Sequence, residues 1–596
     1  MEGSTRPRIA ATTLAQAFRD TAADRADVVA IRTKDDEIAW TWGELRERVD
    51  ALAGGLAALG LEHGDTVALM LGNRPEFHLA DLAAMMVGAT PFSIYTQYTP
   101  DQIRHQVDDA GARIAITEQA FLPKVLAAQE GLPNLERVIV VDGEAPSGVQ
   151  TLDEVASGDH DFDVEASVAR IEPTDLLTLI YTSGTTGPPK GVQLTHHNLL
   201  AAVHQAEKII ALPPDGRVIS WLPSAHVAER NAHHYLPIAF GLQVTCCPNP
   251  REILGYLPEV RPSWFFAVPR IWEKLKAGLE AMVAGQPPEQ RERTEAALRD
   301  ATEKVRLEQR GEEVPADLAA RVEAADREIF SGLRAMLGLD QVVAIHVGAA
   351  PTAVEVLEFF HALGLPLAEL WGMSETCGAG AVNPPERIKI GTVGPPAPGV
   401  EMKLADDGEL LMRSDVVMLG YRNLPEQTAE AMTEDGFLRT GDIGEFDDDG
   451  YLRIVDRKKE IIINAAGKNM SPAAIEGALK AASPLIGQAA AIGDGRRYNT
   501  ALLVLDSDFA PAWAAQHGIE DASLEALARD PRMREAVQAG VDAANEKLAR
   551  VEQIKKFTIV EGDWLPGGDE LTPTMKLKRK PIDRKYAGTI DAMYAD

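Results

Sequence analysis

The sequence predicts an α/β fold in two domains, and three observations predict it. Helical and strand signals alternate through the first half of the chain, the pattern of layered sheets with largely parallel strands. Between residues 281 and 339 the texture changes to one dense in charge and almost free of β-branched runs. A charged break at residues 456–459, Asp-Arg-Lys-Lys, then precedes a strand and a Ser-Pro helix start, which read as a small α+β domain.

The elements follow in order. Thr13-Leu-Ala-Gln16 and Thr41-Trp-Gly-Glu44 are capping-box patterns. After the second, Leu45, Val49, Leu52, Leu56 and Leu59 recur at helical spacing. Residues 66–71 read as a strand, 75–87 as a helix, and the apolar run 176–180 as a buried strand. In the charged segment Leu298, Ala301 and Val305 share one helical face, and Leu318, Val322, Ala325, Ile329 and Leu333 another. That predicts two amphipathic helices joined near 311–315, charged faces in water, with a coiled-coil partner site as the alternative. Strand signals resume at 342–347 and, more briefly, at 400–412. Asp447-Asp-Asp-Gly450 is a hairpin turn. Residues 461–463 form another strand, and Ser471 caps a helix that has Pro472 in its first turn.

Composition bounds the function. The chain has 596 residues, 45% of them apolar, and a net charge of −31. Such an acidic balance argues against nucleic acid, whose binding is driven by Lys and Arg on phosphates, so any anion site is local. Three cysteines, Cys246, Cys247 and Cys377, make no disulfide framework and suit a reducing cytoplasm. Residues 1–20 carry no apolar signal core, and no run of about eighteen apolar residues predicts a membrane span. Peripheral contact at the inner membrane face and a homodimer both stay open. The paired histidines at 196, 197, 233 and 234 lack the spacing of a zinc helix.

The chemistry concentrates in a few segments. Residues 181–191, Tyr-Thr-Ser-Gly-Thr-Thr-Gly-Pro-Pro-Lys-Gly, follow the buried strand. Gly184, Gly187 and Gly191 let the backbone turn tightly and aim N–H groups at one point. Thr182, Ser183, Thr185 and Thr186 add hydroxyls and Lys190 a positive charge, a set that suits a polyphosphate. The order differs from the common nucleotide loop, in which Gly-Lys-Ser/Thr follows four spacers. Gly348, Ala349 and Ala350 offer small residues at a turn after a strand. In Glu369-Leu-Trp-Gly-Met-Ser-Glu-Thr376, Trp371 can stack on a base, Ser374 can donate to a phosphate and Glu375 can hold Mg²⁺, with Gly372 among the nucleotide-binding residues; a buried Trp at an ordinary helix start is the alternative. The same stretch approaches the hydrolase elbow Gly-x-Ser-x-Gly, with Thr in the fifth place. Asp442, in Arg439-Thr-Gly-Asp442, reads alone as a turn aspartate, though such a carboxylate can accept from both hydroxyls of a ribose. His226 lies in Leu222-Pro-Ser-Ala-His-Val-Ala-Glu-Arg230 and reads either as a reactive-site group or as a satisfied core histidine. Lys576 lies in a basic stretch that reads, taken alone, as a solvated tail.

In that order and spacing these segments resemble the adenylate-forming superfamily of acyl-CoA synthetases, luciferases and adenylation domains. The segments around His226 and at Val268-Pro-Arg-Ile-Trp272 are most similar to long-chain fatty acyl-CoA synthetases. The resemblance implies a large domain, residues 1–456, of two αβ sheet layers and a distorted β-barrel, and a small mobile α+β domain, residues 460–596. It implies a hinge at 457–459, with Lys459 at the hinge position. It places Arg457 on ribose or phosphate, Lys576 in the active site during adenylation, and Trp272 as an aromatic gate of the fatty-acid tunnel; a core Trp is the alternative. It implies ATP and CoA as co-substrates, Mg²⁺, and a fatty acid of medium to long chain joined first to AMP and then to CoA. Two rivals stand beside this: a fatty acyl-AMP ligase that loads a carrier protein, and a non-catalytic nucleotide- or lipid-binding relative.

Overall fold

The computed structural model describes residues 9–158, 161–182, 189–465 and 467–595. The expected alternation becomes a five-stranded parallel sheet ordered Thr90–Ser93, Thr66–Met70, Ile114–Thr117, Arg137–Val140, Gln150–Thr151. Its helices begin where the capping patterns predict. Thr41 and Glu44 complete a reciprocal box at the start of Trp42–Ala58. At Leu14–Asp24 the box is only half formed: Thr13 caps Gln16 N, but the Gln16 amide turns to Asp20 instead.

A second αβ layer holds two four-stranded sheets. Arg217–Ser220, Gln243–Cys246 and Val29–Arg32 run parallel, with Ala39–Thr41 antiparallel at the edge. Trp264–Ala267, Ala344–Val347 and Leu367–Trp371 are likewise parallel, edged by Ala381–Val382. Ser263 N donates to Arg217 O at 2.9 Å, so the second sheet runs on from the first. Leu367–Trp371 and Ala344–Val347 end side by side, which delivers residues 348–350 and 372–375 to one rim. Carboxyl ends of parallel strands are where ligands bind in open α/β sheets.

The strand that feeds the glycine-rich loop departs from the parallel expectation. Leu176–Tyr181 turns back into Gly191–Thr195 as an antiparallel hairpin, and the distant strand Gly420–Tyr421 pairs with the return arm. Beside it stands an antiparallel sheet of Glu401–Leu404, Glu409–Arg413, Leu438–Phe446 and Leu452–Arg457. These two sheets of the large domain are antiparallel throughout.

The charged segment folds as Pro288–Gln309 and a second helix from Ala316 that widens into a π-turn at Asp326–Phe330 before ending at Leu337. Ala301, Val305, Leu318 and Phe330 are buried against the chain's own core, and Arg306 grips Glu358 of Val354–Ala362. The apolar stripe therefore covers an intramolecular face.

After Arg457 a separate core begins. Ile486–Ile492, Asn499–Leu505 and Ile554–Ile559 form a mixed sheet under Pro472–Ala482 and Pro531–Lys547. Ser471 caps Ala474 N and Pro472 occupies the first turn, as read from the sequence. No helix among the described residues is long and apolar enough to cross a membrane.

Candidate active site

Residues from both domains meet at the rim below the hairpin. The loop's neck is closed by Thr182 N donating to Lys190 O at 3.0 Å, with Lys190 N reaching Thr182 Oγ1 at 3.4 Å. Ser183, Gly184, Thr185, Thr186 and Gly187 lie outside the described residues. Lys190 extends its ammonium over the ring of Tyr421, 4.5 Å from the centroid. The Tyr421 hydroxyl in turn donates to Glu375 Oε1 at 2.8 Å. One tyrosine thus joins the cation of the loop to the carboxylate expected to hold magnesium. The pattern reading missed it, because Tyr421 approaches both partners only through the long-range pairing of Gly420–Tyr421 with the hairpin. Glu375 is buried, and Met418 N fixes its backbone carbonyl at 2.9 Å.

Gly348 and Gly372 are small for a reason other than access. A Cβ on Gly372 would stand 2.3 Å from Gly378 O, and one on Gly348 would stand 3.0 Å from Leu370 O. Both glycines serve close backbone approach. Ala349 and Ala350 are the exposed residues of that turn, and Ala349 adopts φ +69°. Ser374 opens a short 3₁₀ turn, Ser374–Thr376. Among the described residues no base is hydrogen-bonded to it, so the hydrolase reading gains no support.

Trp371, expected to stack on a base, is held by a hydrogen bond of its own. Its indole N–H donates to Asp442 Oδ2 at 2.8 Å, while Arg457 Nε pairs with Asp442 Oδ1, also at 2.8 Å. Asp442 and Arg457 face each other across Leu438–Phe446 and Leu452–Arg457. Burial pushes the Asp442 carboxyl above the usual carboxylate range, opposed by Arg457 and then by the Trp371 hydrogen bond. The carboxylate is oriented from both sides before any ligand arrives.

Lys576 reaches the same place from the small domain. Its turn is closed by Thr572 N donating to Lys576 O at 2.8 Å and by Lys576 N donating to Thr572 Oγ1 at 3.0 Å. Met575 takes φ +64°, a conformation that favours glycine. Lys576 is exposed to solvent, although many atoms surround its ammonium. That crowding and Arg457 lower its pKa, while Asp442, Glu375 and Glu460 work the other way. His226 lies within the field of Lys576: burial first, and Lys576 second, press its pKa down to about 3. Its Nδ1 accepts from Ala228 N at 3.1 Å, which assigns the proton of the neutral ring to Nε2.

Two residues beside His226 are structural. Glu229 is fully buried and accepts from Ser220 Oγ, Asn73 Nδ2, Leu222 N and His233. Arg230 clasps Asp81, which His234 also contacts. These bonds pin the loop 221–226 that presents His226. Trp272 is also fully buried, edge-on to Phe265 at 5.6 Å and Phe360 at 5.0 Å. Lys459 is exposed at the turn after Arg457. Cys377 is buried, and burial pushes its thiol far above its ordinary value, so it packs rather than reacts.

Known proteins resemble both parts of the chain. Residues 18–422 match the family described as AMP-binding enzyme, and residues 459–596 the AMP-binding enzyme C-terminal domain. The putative fatty-acid–CoA ligase fadD11 of Mycobacterium tuberculosis is 49% identical over 74% of this chain and 77% of its own. The long-chain-fatty-acid–CoA ligase FadD15 of the same organism is 36% identical over 93% and 92%. Among solved structures, an anthranilate CoA ligase in complex with anthranoyl-AMP superposes with a TM-score of 0.73 at 19% identity, covering 97% of this chain and 98% of that one. The adenylation domain of a Mycobacterium chelonae carboxylate reductase gives 0.75 at 20%, covering 98% and 91%. At such identities the structures speak for the fold alone.

Proposed function

The chain belongs to the AMP-binding enzyme family, and from that premise we propose that it is an ATP-dependent fatty acid–CoA ligase. The carboxylate of a fatty acid attacks the α-phosphorus of ATP, giving acyl-AMP and pyrophosphate. The thiol of CoA then attacks the acyl carbonyl and releases AMP. The observation that carries the reading is the convergence of Lys576, from the small domain, on Glu375, Asp442 and His226 of the large one and on Arg457 of the hinge segment, which pairs with Asp442 at 2.8 Å.

Each residue has a physical task. Asp442, oriented by Trp371 and Arg457, accepts from the ribose hydroxyls. Lys190 and the loop at 182–187 take the β- and γ-phosphates. Lys576 sets positive charge where negative charge builds in the first transition state. Neutral His226 offers Nε2–H as a donor to the substrate carboxylate. Trp272 lines the acyl path. Ala349 and Ala350 leave room for the adenine, and Ser374 donates to the α-phosphate.

Magnesium fits the donor set. Among the described residues no cluster of three His, Cys, Asp or Glu side chains could hold a metal. Glu375 is one buried carboxylate beside a phosphate loop, and Mg²⁺ takes one or two carboxylates with phosphate oxygens and water for the rest. When bound it would neutralise charge on the phosphates.

Domains 1–456 and 460–596, turning at 457–459 around Lys459, serve the two half-reactions in turn. A pyrophosphate-release screen over carboxylates of graded length, with and without CoA, tests the function. Release with medium and long chains and thioester formation only with CoA are expected. Release without transfer to CoA would favour a carrier-protein acceptor.

A further inference from the structure

Ion pairs cross from the small domain to the large one. Helix Pro269–Ala284 contributes two: Arg270 Nη2 to Asp506, and Lys274 Nζ to Asp508 at 2.5 Å. Helix Val354–Ala362 contributes a third, Glu355 to Lys547 at 2.6 Å. Arg270 and Asp506 form the least exposed of these. Asp506 is 7% exposed and Arg270 23%, and Glu273 steadies the guanidinium at 3.1 Å. The other Asp506 oxygen accepts from Asp508 N at 3.0 Å and Phe509 N at 2.9 Å, so the carboxylate is aimed before the domains meet. Burial raises its pKa, and Arg270 with these backbone bonds brings it below the usual range.

Inside the small domain, Arg579 stands three residues after Lys576. It is bidentate to Glu476, at 2.7 and 3.0 Å, and reaches Glu460 at 3.1 Å, just past the hinge segment. The Lys576 turn is thereby fastened to its domain, so whatever fixes the domain fixes Lys576. Across the hinge, Asp456 accepts from Ser471 Oγ at 2.5 Å and Ala473 N at 3.3 Å, at the start of Pro472–Ala482.

We propose that Arg270 and Asp506 are a positioning pair for adenylation: they hold the small domain where Lys576 enters the site, and they part for the thioester step. This rests on the function proposed above. An ion pair suits a contact that must open each turnover, because both charges regain water when the partners separate and this offsets much of their lost attraction. An apolar seam would hold through both steps. The helix bearing Arg270 also bears Trp272, two residues on, so the domain contact and the acyl path share one element.

The test uses the full-length enzyme and two single-turnover assays: pyrophosphate release from ATP and a fatty acid without CoA, and acyl-CoA formation from supplied acyl-AMP and CoA. Asp506→Asn and Arg270→Met should each slow release on the order of tenfold, a typical coupling between sites, and should spare or speed thioester formation. Lys274→Glu should slow release, and adding Asp508→Lys should restore it; this pair is more exposed and tolerates a charge swap. Equal slowing of both half-reactions overturns the proposal, as does unchanged release in every variant. A wild-type enzyme that releases no pyrophosphate overturns the functional reading and this one together, whereas normal wild-type release with no variant effect overturns this one alone.

Discussion

Replacing Trp371 by Phe removes one hydrogen bond, the 2.8 Å donation to Asp442 Oδ2, and leaves the Arg457 contact in place. A hydrogen bond to a charged group contributes about 1.5–3 kcal/mol. If all of it orients the carboxylate toward ribose, AMP affinity falls by roughly ten- to a hundred-and-fifty-fold. Loss of the indole N–H also removes one of the groups opposing the burial-raised pKa of Asp442, so the carboxyl shifts further upward. The affinity loss therefore deepens as pH falls, because protonation removes the acceptor. Titration calorimetry with AMP and with its 2′,3′-dideoxy analogue isolates the effect. The variant should lose affinity for AMP and little for the analogue, which has no hydroxyl for Asp442 to hold. Equal weakening of both nucleotides refutes the reasoning and assigns Trp371 to base stacking or to packing alone; unchanged AMP affinity refutes it as well.

Lys576→Ala should slow pyrophosphate release by roughly a hundred- to a thousandfold and spare acyl-CoA formation from supplied acyl-AMP; parallel loss in both assays would contradict the role. Trp272→Ala should lower stability by about 3–5 kcal/mol, since the indole is fully buried between two aromatic rings. Chain-length profiling of the same protein then asks about the gate, and an unchanged profile removes it. Met575→Gly relieves a left-handed non-glycine residue, which costs about 1–2 kcal/mol, against about 0.5–1 kcal/mol of added chain entropy. Calorimetry should show the small domain slightly stabilised, and a lowered melting temperature would speak against the φ of +64°. His226, with its pKa depressed to about 3, contributes stability above the unfolded histidine value that is lost as pH falls toward that figure. His226→Gln should thus narrow the gap between melting temperatures at pH 7.5 and pH 5, and an unaltered gap would count against the buried neutral ring.

Much of the site was legible because each key residue sits in a local pattern with a reason of its own. Asp442 follows a glycine in a strand and Lys576 lies in a short basic turn. The helix starts at Thr41 and Ser471 were equally readable, since capping is decided within four residues. What escaped depends on distance in the chain. Tyr421 is 46 residues from Glu375 and meets it only through sheet pairing. The bond between Trp371 and Asp442 spans 71 residues, and nothing local to either residue announces it. The half-formed box at Thr13 shows a local rule outcompeted by a neighbouring carboxylate, Asp20. The two roles of glycine, freeing the backbone or admitting a neighbour, look alike in a sequence; only the contacts of Gly348 and Gly372 separate them.

The late third strand of the hairpin sheet also sets a schedule for synthesis. The arm Gly191–Thr195 leaves the ribosome about 225 residues before its partner Gly420–Tyr421. At translation speeds of about 5–20 residues per second, that edge waits roughly 10–45 s for its mate. Throughout the wait the β-arm presents open backbone groups along one edge, the feature that invites pairing with another nascent chain. Yield in a cell is then governed by what shelters residues 191–195 during elongation, as much as by the stability of the finished enzyme.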